Sequence, residues 1–239
     1  MALYVYAITG KDHPRHPDGL TGVGAHPSAV RTITEGPLTA VVSDVAEEIR
    51  PKRRDLQIHQ EIQEHLMAGA VVLPLQFGYV ADSDQSVRQA LEENAAAYLA
   101  ALERLDGCAE YHVRASQRDE EQLLRDVLEE SAEARELNDR IRAGDQNPQL
   151  PLALGEIVAH DVQERQEALA AGLVQALTAY AREHTVHPPA YPDFLNLSLL
   201  VPHEKKDDFL TAHKGLTDQV EDGVDVRVTG PLPPYSFVQ

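Results

Sequence analysis

The most metal-like spacing in the chain is His59-Gln60-Glu61-Ile62-Gln63-Glu64-His65. Glu61 and His65 are one helical turn apart, so on a helix they share a face and can share an ion. His59 and His65 are six apart and, at 3.6 residues per turn, point about 120° away from each other. One ion does not reach both. Three further histidines, His13, His16 and His26, are each followed by a proline (Pro14, Pro17, Pro27), which keeps their backbone extended or turned. Asp12 and Asp18 lie nearby, but no recognised ligand spacing accompanies them. Cys108 is the single cysteine, and it reads as a small apolar residue beside a strand rather than a reactive thiol. No glycine-rich phosphate loop, nucleophile elbow, CxxC or HExxH is present. With no identifiable acid, base or cofactor loop, the chain reads as a non-enzyme without cofactor or metal.

The elements that would position any site centre on Val71-Val72-Leu73-Pro74-Leu75-Gln76-Phe77-Gly78-Tyr79-Val80, an uncharged run bounded by Gly69 and by Asp82-Ser83-Asp84. A short apolar run of this kind is expected to be a strand buried on both faces. Pro74 argues against a helix and marks a bulge or an edge, and Gly78 marks a bend.

The 239 residues suit one large domain or two small ones. A net charge of -18 argues against nucleic acid or an anionic membrane as partner, since phosphate binding needs clustered Lys and Arg. The basic cluster Lys52-Arg53-Arg54 runs straight into Asp55 and reads as the solvated start of a helix. A lone cysteine fits a reducing cytoplasm. No signal peptide is evident, and no apolar run approaches the roughly 20 residues that span a bilayer.

In chain order, Leu3 to Ile8 is expected as a strand, followed by a Gly- and Pro-rich loop through Pro27. Val30 to Glu35 and Leu38 to Val45 form a hairpin about Gly36-Pro37. Asp55 to Met67 is a helix with Ile58, Ile62, His65 and Leu66 on one face. Apart from a missing early helix, of which residues 26 to 31 would supply a turn or two, this layout matches a ferredoxin-like βαββαβ unit with helices on one face of an antiparallel sheet. One helix from Asp84 to Leu105 and a strand from Tyr111 to Ala115 follow. Asp119 to Arg142 and Glu156 to Glu183 are then two long helices forming an antiparallel hairpin, reversed by Gly144 to Gly155; the second runs about 40 Å. A strand from Phe194 to Val201, a helix bearing Phe209, Leu210, Leu216 and Val220, and a strand from Val224 to Thr229 complete the chain before its proline-rich tail. The expected class is α+β, two ferredoxin-like α/β layers with the second modified by an inserted long helical hairpin. The expected domains are 1–106 and 107–239, the tail belonging to the second.

Two stretches carry a family resemblance. Val72-Leu73-Pro74-Leu75-Gln76-Phe77-Gly78 resembles the internal signature of the gas vesicle protein GvpF/GvpL family, and Gly230-Pro231-Leu232-Pro233-Pro234-Tyr235-Ser236-Phe237 resembles its carboxy-terminal one. His59, Asn196 to Val201 and the opening Tyr4-Val5-Tyr6 also fall where the family has related residues. Gln76 stands where the family usually has a basic residue, and Leu232 where it often has Trp.

The resemblance implies a non-enzymatic minor component of gas vesicles, made in the cytoplasm and placed on the gas-facing side of the shell. It implies binding to the small apolar shell protein GvpA, so that GvpA does not aggregate during nucleation, with other gas vesicle proteins as further partners. It also implies two domains, the first ferredoxin-like and the second a modified version with added helices. Pro74, Phe77 and Gly78, with Pro231, Pro234, Tyr235 and Phe237 as a terminal clasp, are the structural or partner-contact candidates. Two other readings stand beside this one: a ferredoxin-like small-molecule enzyme or sensor, which requires a cavity with convergent polar groups, and an inert adaptor joining vesicle proteins through its long helices.

Overall fold

Strand β1, Ala2–Gly10, is buried from Leu3 to Thr9, as a strand with neighbours on both edges and cover on both faces must be. The computed structural model describes residues 2–46, 49–220 and 223–238; Met1 and Gln239, the ends of the two terminal segments discussed above, lie outside them. Along β1, Leu3, Val5 and Ile8 face one apolar cluster, and Tyr4, Tyr6 and Ala7 the other. Tyr6 and Ala7 are adjacent yet share a side because the register against the neighbouring strand slips between Val5 and Ala7, which is the effect of a β-bulge.

Strands β2, Val30–Glu35, and β3, Leu38–Val45, form the expected antiparallel hairpin, turning at Gly36 with φ +54°. Helix α1, Arg53–Met67, lies on the tyrosine-bearing face through Ile62 and Leu66. Asp55, His59 and Gln63 share its buried side, whereas His65 is only half buried. The uncharged run does not form the long doubly buried strand expected of it. It yields two short strands, β4, Leu73–Pro74, and β5, Val80–Ala81. Both pair antiparallel with β1, and the chain turns at Gly78 (φ +95°) between them. Pro74 sits in an edge strand, where its missing N–H is tolerated.

The expected single helix from Asp84 is two helices, α2, Asp84–Glu93, and α3, Ala95–Leu105. The break is at Asn94, whose side chain donates to the Ala90 carbonyl and so competes with the helical ladder. A Ser83–Ser86 capping box fixes the start of α2. Val87, Leu91, Leu102 and Leu105 pack on the face of β1 opposite α1. Helices therefore cover both faces of this sheet, not one.

Beyond it come β6, Cys108–Gln117, and helices α4, Glu120–Glu130, α5, Ala132–Arg142, and α6, Gln149–Thr178. Ser131 separates α4 from α5 by accepting from the Ala134 N–H, so the first arm of the expected hairpin is two helices, both packed on α6. Helix α6 starts earlier than expected because Pro151 lies in its first turn, where proline leaves no hydrogen bond unmade. Strand β7, Glu183–His187, was not foreseen; β8, Asp193–Pro202, α7, Lys206–Gln219, and β9, Val224–Leu232, follow the expected order.

The first sheet has the order β2-β3-β1-β4, and the second β7-β8-β6-β9. Numbered within its own half, each sheet reads second, third, first, fourth. The chain divides into two units, one of Met1–Tyr111, Leu200–His203 and Gly230–Gln239, the other of His112–Leu199 and Glu204–Thr229. The tail, which the sequence places with the second half, groups with the first unit.

Candidate functional site

Tyr4 and Tyr6 are brought to one face of β1 by strand alternation and the bulge. Helix α1 presents His59 to them, the turn after β4 supplies Phe77, and the tail supplies Tyr235 from a single 3₁₀ turn, Tyr235–Phe237. The ring centroids of Tyr4, His59 and Phe77 are mutually 5.7 Å apart in edge-on arrangements, the geometry favoured by ring quadrupoles. Tyr235 stacks on His59 at 6.5 Å.

A line of hydrogen bonds threads these rings. The Gly78 N–H donates to the Tyr4 hydroxyl at 3.0 Å. That hydroxyl lies 3.0 Å from His59 Nδ1, and His59 Nε2 lies 2.9 Å from the Tyr235 hydroxyl. With its oxygen already accepting from Gly78, Tyr4 donates its proton to Nδ1. Nε2–H then donates to Tyr235, so both ring nitrogens are used with a neutral imidazole. Burial enforces that neutrality, pushing the His59 pKa down from 6.5 to about 4. Burial likewise holds the Tyr4 and Tyr235 phenols above their ordinary range, with the Glu110 carboxylate adding to the effect at Tyr235.

The tail is held at a second point. Glu110, fully buried on β6, accepts from the Ser236 N–H at 2.9 Å and from its hydroxyl at 2.5 Å. Phe237 is buried among Leu3, Leu105 and Cys108 in the apolar cluster on the other face of β1, and Arg104 donates to its carbonyl. At the start of α1, Asp55 accepts from the Gly24 N–H at 3.1 Å. Burial opposes its charge, yet that bond and Arg54 keep its carboxyl below the ordinary range. Gln63 donates to the Tyr6 carbonyl.

Of the residues singled out by sequence, Pro74, Phe77, Gly78, Tyr235 and Phe237 are thus gathered around β1 and α1. Pro234 is buried just before the 3₁₀ turn, while Pro231 is exposed. Tyr4, Asp55, Gln63, Glu110 and Ser236 belong to the same arrangement without having been singled out as candidates. Polar residues four apart at 55, 59 and 63 on an otherwise apolar helix face were the available signal. Among the described residues, no group of three or more His, Cys, Asp or Glu side chains could hold a metal ion, and no helix is long and apolar enough to cross a membrane. The site's chemistry is that of a fastener: donors and acceptors paired with one another.

Tyr235→Phe keeps the ring and removes one partner of His59. We expect a loss of about 1–2 kcal/mol, the cost of a buried imidazole nitrogen left unpaired, seen as a lower urea midpoint at unchanged slope. An unchanged midpoint would mean that the tail is held by Glu110 and Phe237 alone.

Residues 2–239 match the sequence family described as gas vesicle synthesis protein GvpL/GvpF. The chain belongs to the GvpL/GvpF family. Gas vesicle protein F of Streptomyces sp. (strain CB03234) is 40% identical over the whole of both chains. Gas vesicle protein L of the same strain is 30% identical, covering 98% of this chain and 91% of its own. The fold agrees with two crystal structures of GvpF. That from Anabaena sp. PCC7120 superposes with a TM-score of 0.86 at 21% identity, over 100% of this chain and 98% of its own. That from Microcystis aeruginosa superposes with a TM-score of 0.79 at 23% identity, over 100% and 99%. This member of the GvpL/GvpF family therefore has a gas vesicle role and a mixed α/β fold with the architecture of GvpF.

Proposed function

We propose that this GvpL/GvpF protein is a non-enzymatic assembly component that binds the apolar shell protein GvpA, keeps it from aggregating during vesicle nucleation, and ends on the gas-facing side of the shell. The observation that carries the reading is where the two signature segments direct their chemistry. His59, Tyr4, Tyr235 and Ser236 bond one another or Glu110, so these segments support a scaffold rather than a reaction. The net charge of -18 supports the same role, because a strongly acidic carrier keeps a complex with an apolar client dispersed.

We read each sheet as a ferredoxin-like layer. The shared second-third-first-fourth strand order supports this, as does a helix between the third and fourth strands of each half, α1 in one and α7 in the other. On this reading α4 to α6 are inserted between the first two strands of the second half, where the first half has only a Gly- and Pro-rich loop.

The test is dilution of denatured GvpA into buffer with and without the purified protein, followed by light scattering. A several-fold drop in scattering at equimolar protein is expected. Scattering unchanged at excess protein would overturn the carrier role.

A further inference from the structure

The second unit contains a cavity of about 660 Å³ that the fastener does not involve. We propose that it seats about two turns of an amphipathic helix from a partner protein, a helix with a Lys or Arg at the edge of its apolar face. The inference rests on the carrier reading and deepens it by giving the apolar client a place to bind.

Leu169 and Leu173 of α6, Phe194 of β8 and Leu216 of α7 give the cavity its apolar lining, and the volume is in the range of established ligand sites. Its two long walls are Gln122 to Glu130 on α4 and Arg165 to Leu173 on α6. Each wall runs about 12 Å at 1.5 Å per residue, the length over which a helix presents anchors at i, i+3 or i+4, and i+7. Both walls are helices whose backbone groups bond within themselves. An extended peptide would find no ladder there, whereas a helix arrives with its own backbone already satisfied.

Gly172 indicates how close the visitor comes. It sits in the interior of α6, where glycine is a poor helix former, and a Cβ built on it meets nothing within 4 Å. Among the described residues, no packing requires the glycine. With Ala168 one turn earlier on the same lining, it leaves a shallow stretch where another backbone can approach. Charge supplies the orientation. Arg165 is paired with Glu130 at 2.5 Å, while Asp126 accepts at 2.6 Å from the neutral amide of Gln122. The rim thus presents a carboxylate bonded to an amide and complementary to a cation.

The experiment uses the full chain as wild type, Gly172→Leu and Asp126→Lys, with three labelled probes followed by fluorescence anisotropy: GvpA, a Leu/Ala-faced helical peptide carrying Lys at the edge of that face, and the same peptide with Glu. Wild type is expected to bind GvpA and the Lys peptide. Gly172→Leu should keep its circular dichroism and lose at least tenfold in affinity for both, and Asp126→Lys should reverse the preference between the peptides. Equal binding by wild type and Gly172→Leu overturns the seat, even if GvpA still binds and the carrier reading survives. Peptide binding sensitive to Gly172→Leu without any binding of GvpA supports the seat and removes the carrier reading. Should Gly172→Leu misfold, Asp126→Lys decides, and an unchanged preference overturns the proposal. Failure of wild type to bind either peptide, with a small cationic amphiphile binding instead, also overturns it in favour of a small-molecule site.

Discussion

Acidification from pH 6.5 to about 4 is expected to remove about 3 kcal/mol of stability through His59 alone. The folded protein holds this imidazole neutral, with its pKa lowered from 6.5 to about 4 by burial. Between those values the unfolded chain binds a proton that the folded chain refuses, so stability rises with pH across the window. The contribution is fully present above pH 6.5 and fades as pH falls toward about 4, at about 1.4 kcal/mol for each tenfold change in proton affinity. Protonation would also remove the acceptor at Nδ1 and leave the Tyr4 proton without its partner. Asp55 does not fall in the same window. Its carboxyl is held below the ordinary 3.8, so its contribution is present above that value and fades only at lower pH. Urea unfolding of wild type and His59→Asn across this range isolates the effect, because other carboxylates titrate alike in both. The stability gap between them should narrow by about 3 kcal/mol on acidification; a constant gap would show that His59 is not held neutral by the fold.

Gly230→Ala is expected to be the more damaging single substitution, at about 4 kcal/mol. The residue has φ +152°, a conformation that side chains rarely adopt and that costs of order 1–3 kcal/mol. A Cβ there would stand 2.6 Å from the Tyr111 ring and 2.9 Å from the Glu110 carbonyl oxygen. Tyr111 is buried and cannot swing aside, so the overpacking adds about 1–3 kcal/mol. Gly155→Ala in α6 is the control: nothing lies within 4 Å of its built Cβ, and alanine favours the helix by about 1 kcal/mol. The urea midpoint should therefore fall for the first variant and hold or rise for the second. Equal midpoints would mean that the path of the chain into the tail is not fixed at Gly230.

What could be read in advance followed from local pattern. The β2–β3 hairpin was visible in two β-rich runs about Gly36-Pro37, and α1 in its apolar period. The run from Val71 to Val80 was misread because hydrophobicity does not distinguish a strand from an apolar turn packed on its neighbours; Val72 and Phe77 pack on the tyrosine-side cluster of β1 without continuing a ladder. The breaks at Asn94 and Ser131 depend on one side chain competing with the backbone, which periodicity does not register. His59 illustrates the deeper limit. Its partners Tyr4 and Tyr235 are 55 and 176 positions away, so the four-residue polar spacing on α1 marks a buried polar face without saying which distant residues meet it. The cavity beside α6 is equally non-local, assembled from residues on α4, α6, α7 and β8.

The tail's place in the first unit sets an order on the ribosome. Domains commonly fold as they emerge during synthesis, amino-terminal first, but here the leading unit includes Leu200–His203 and Gly230–Gln239. Until residues 230–238 have been made, His59 lacks Tyr235 and Glu110 lacks Ser236. A chain halted within the second unit would hold a first unit with its apolar seam uncovered and open to proteolysis. Closure of the opening unit therefore waits for synthesis of the whole second unit.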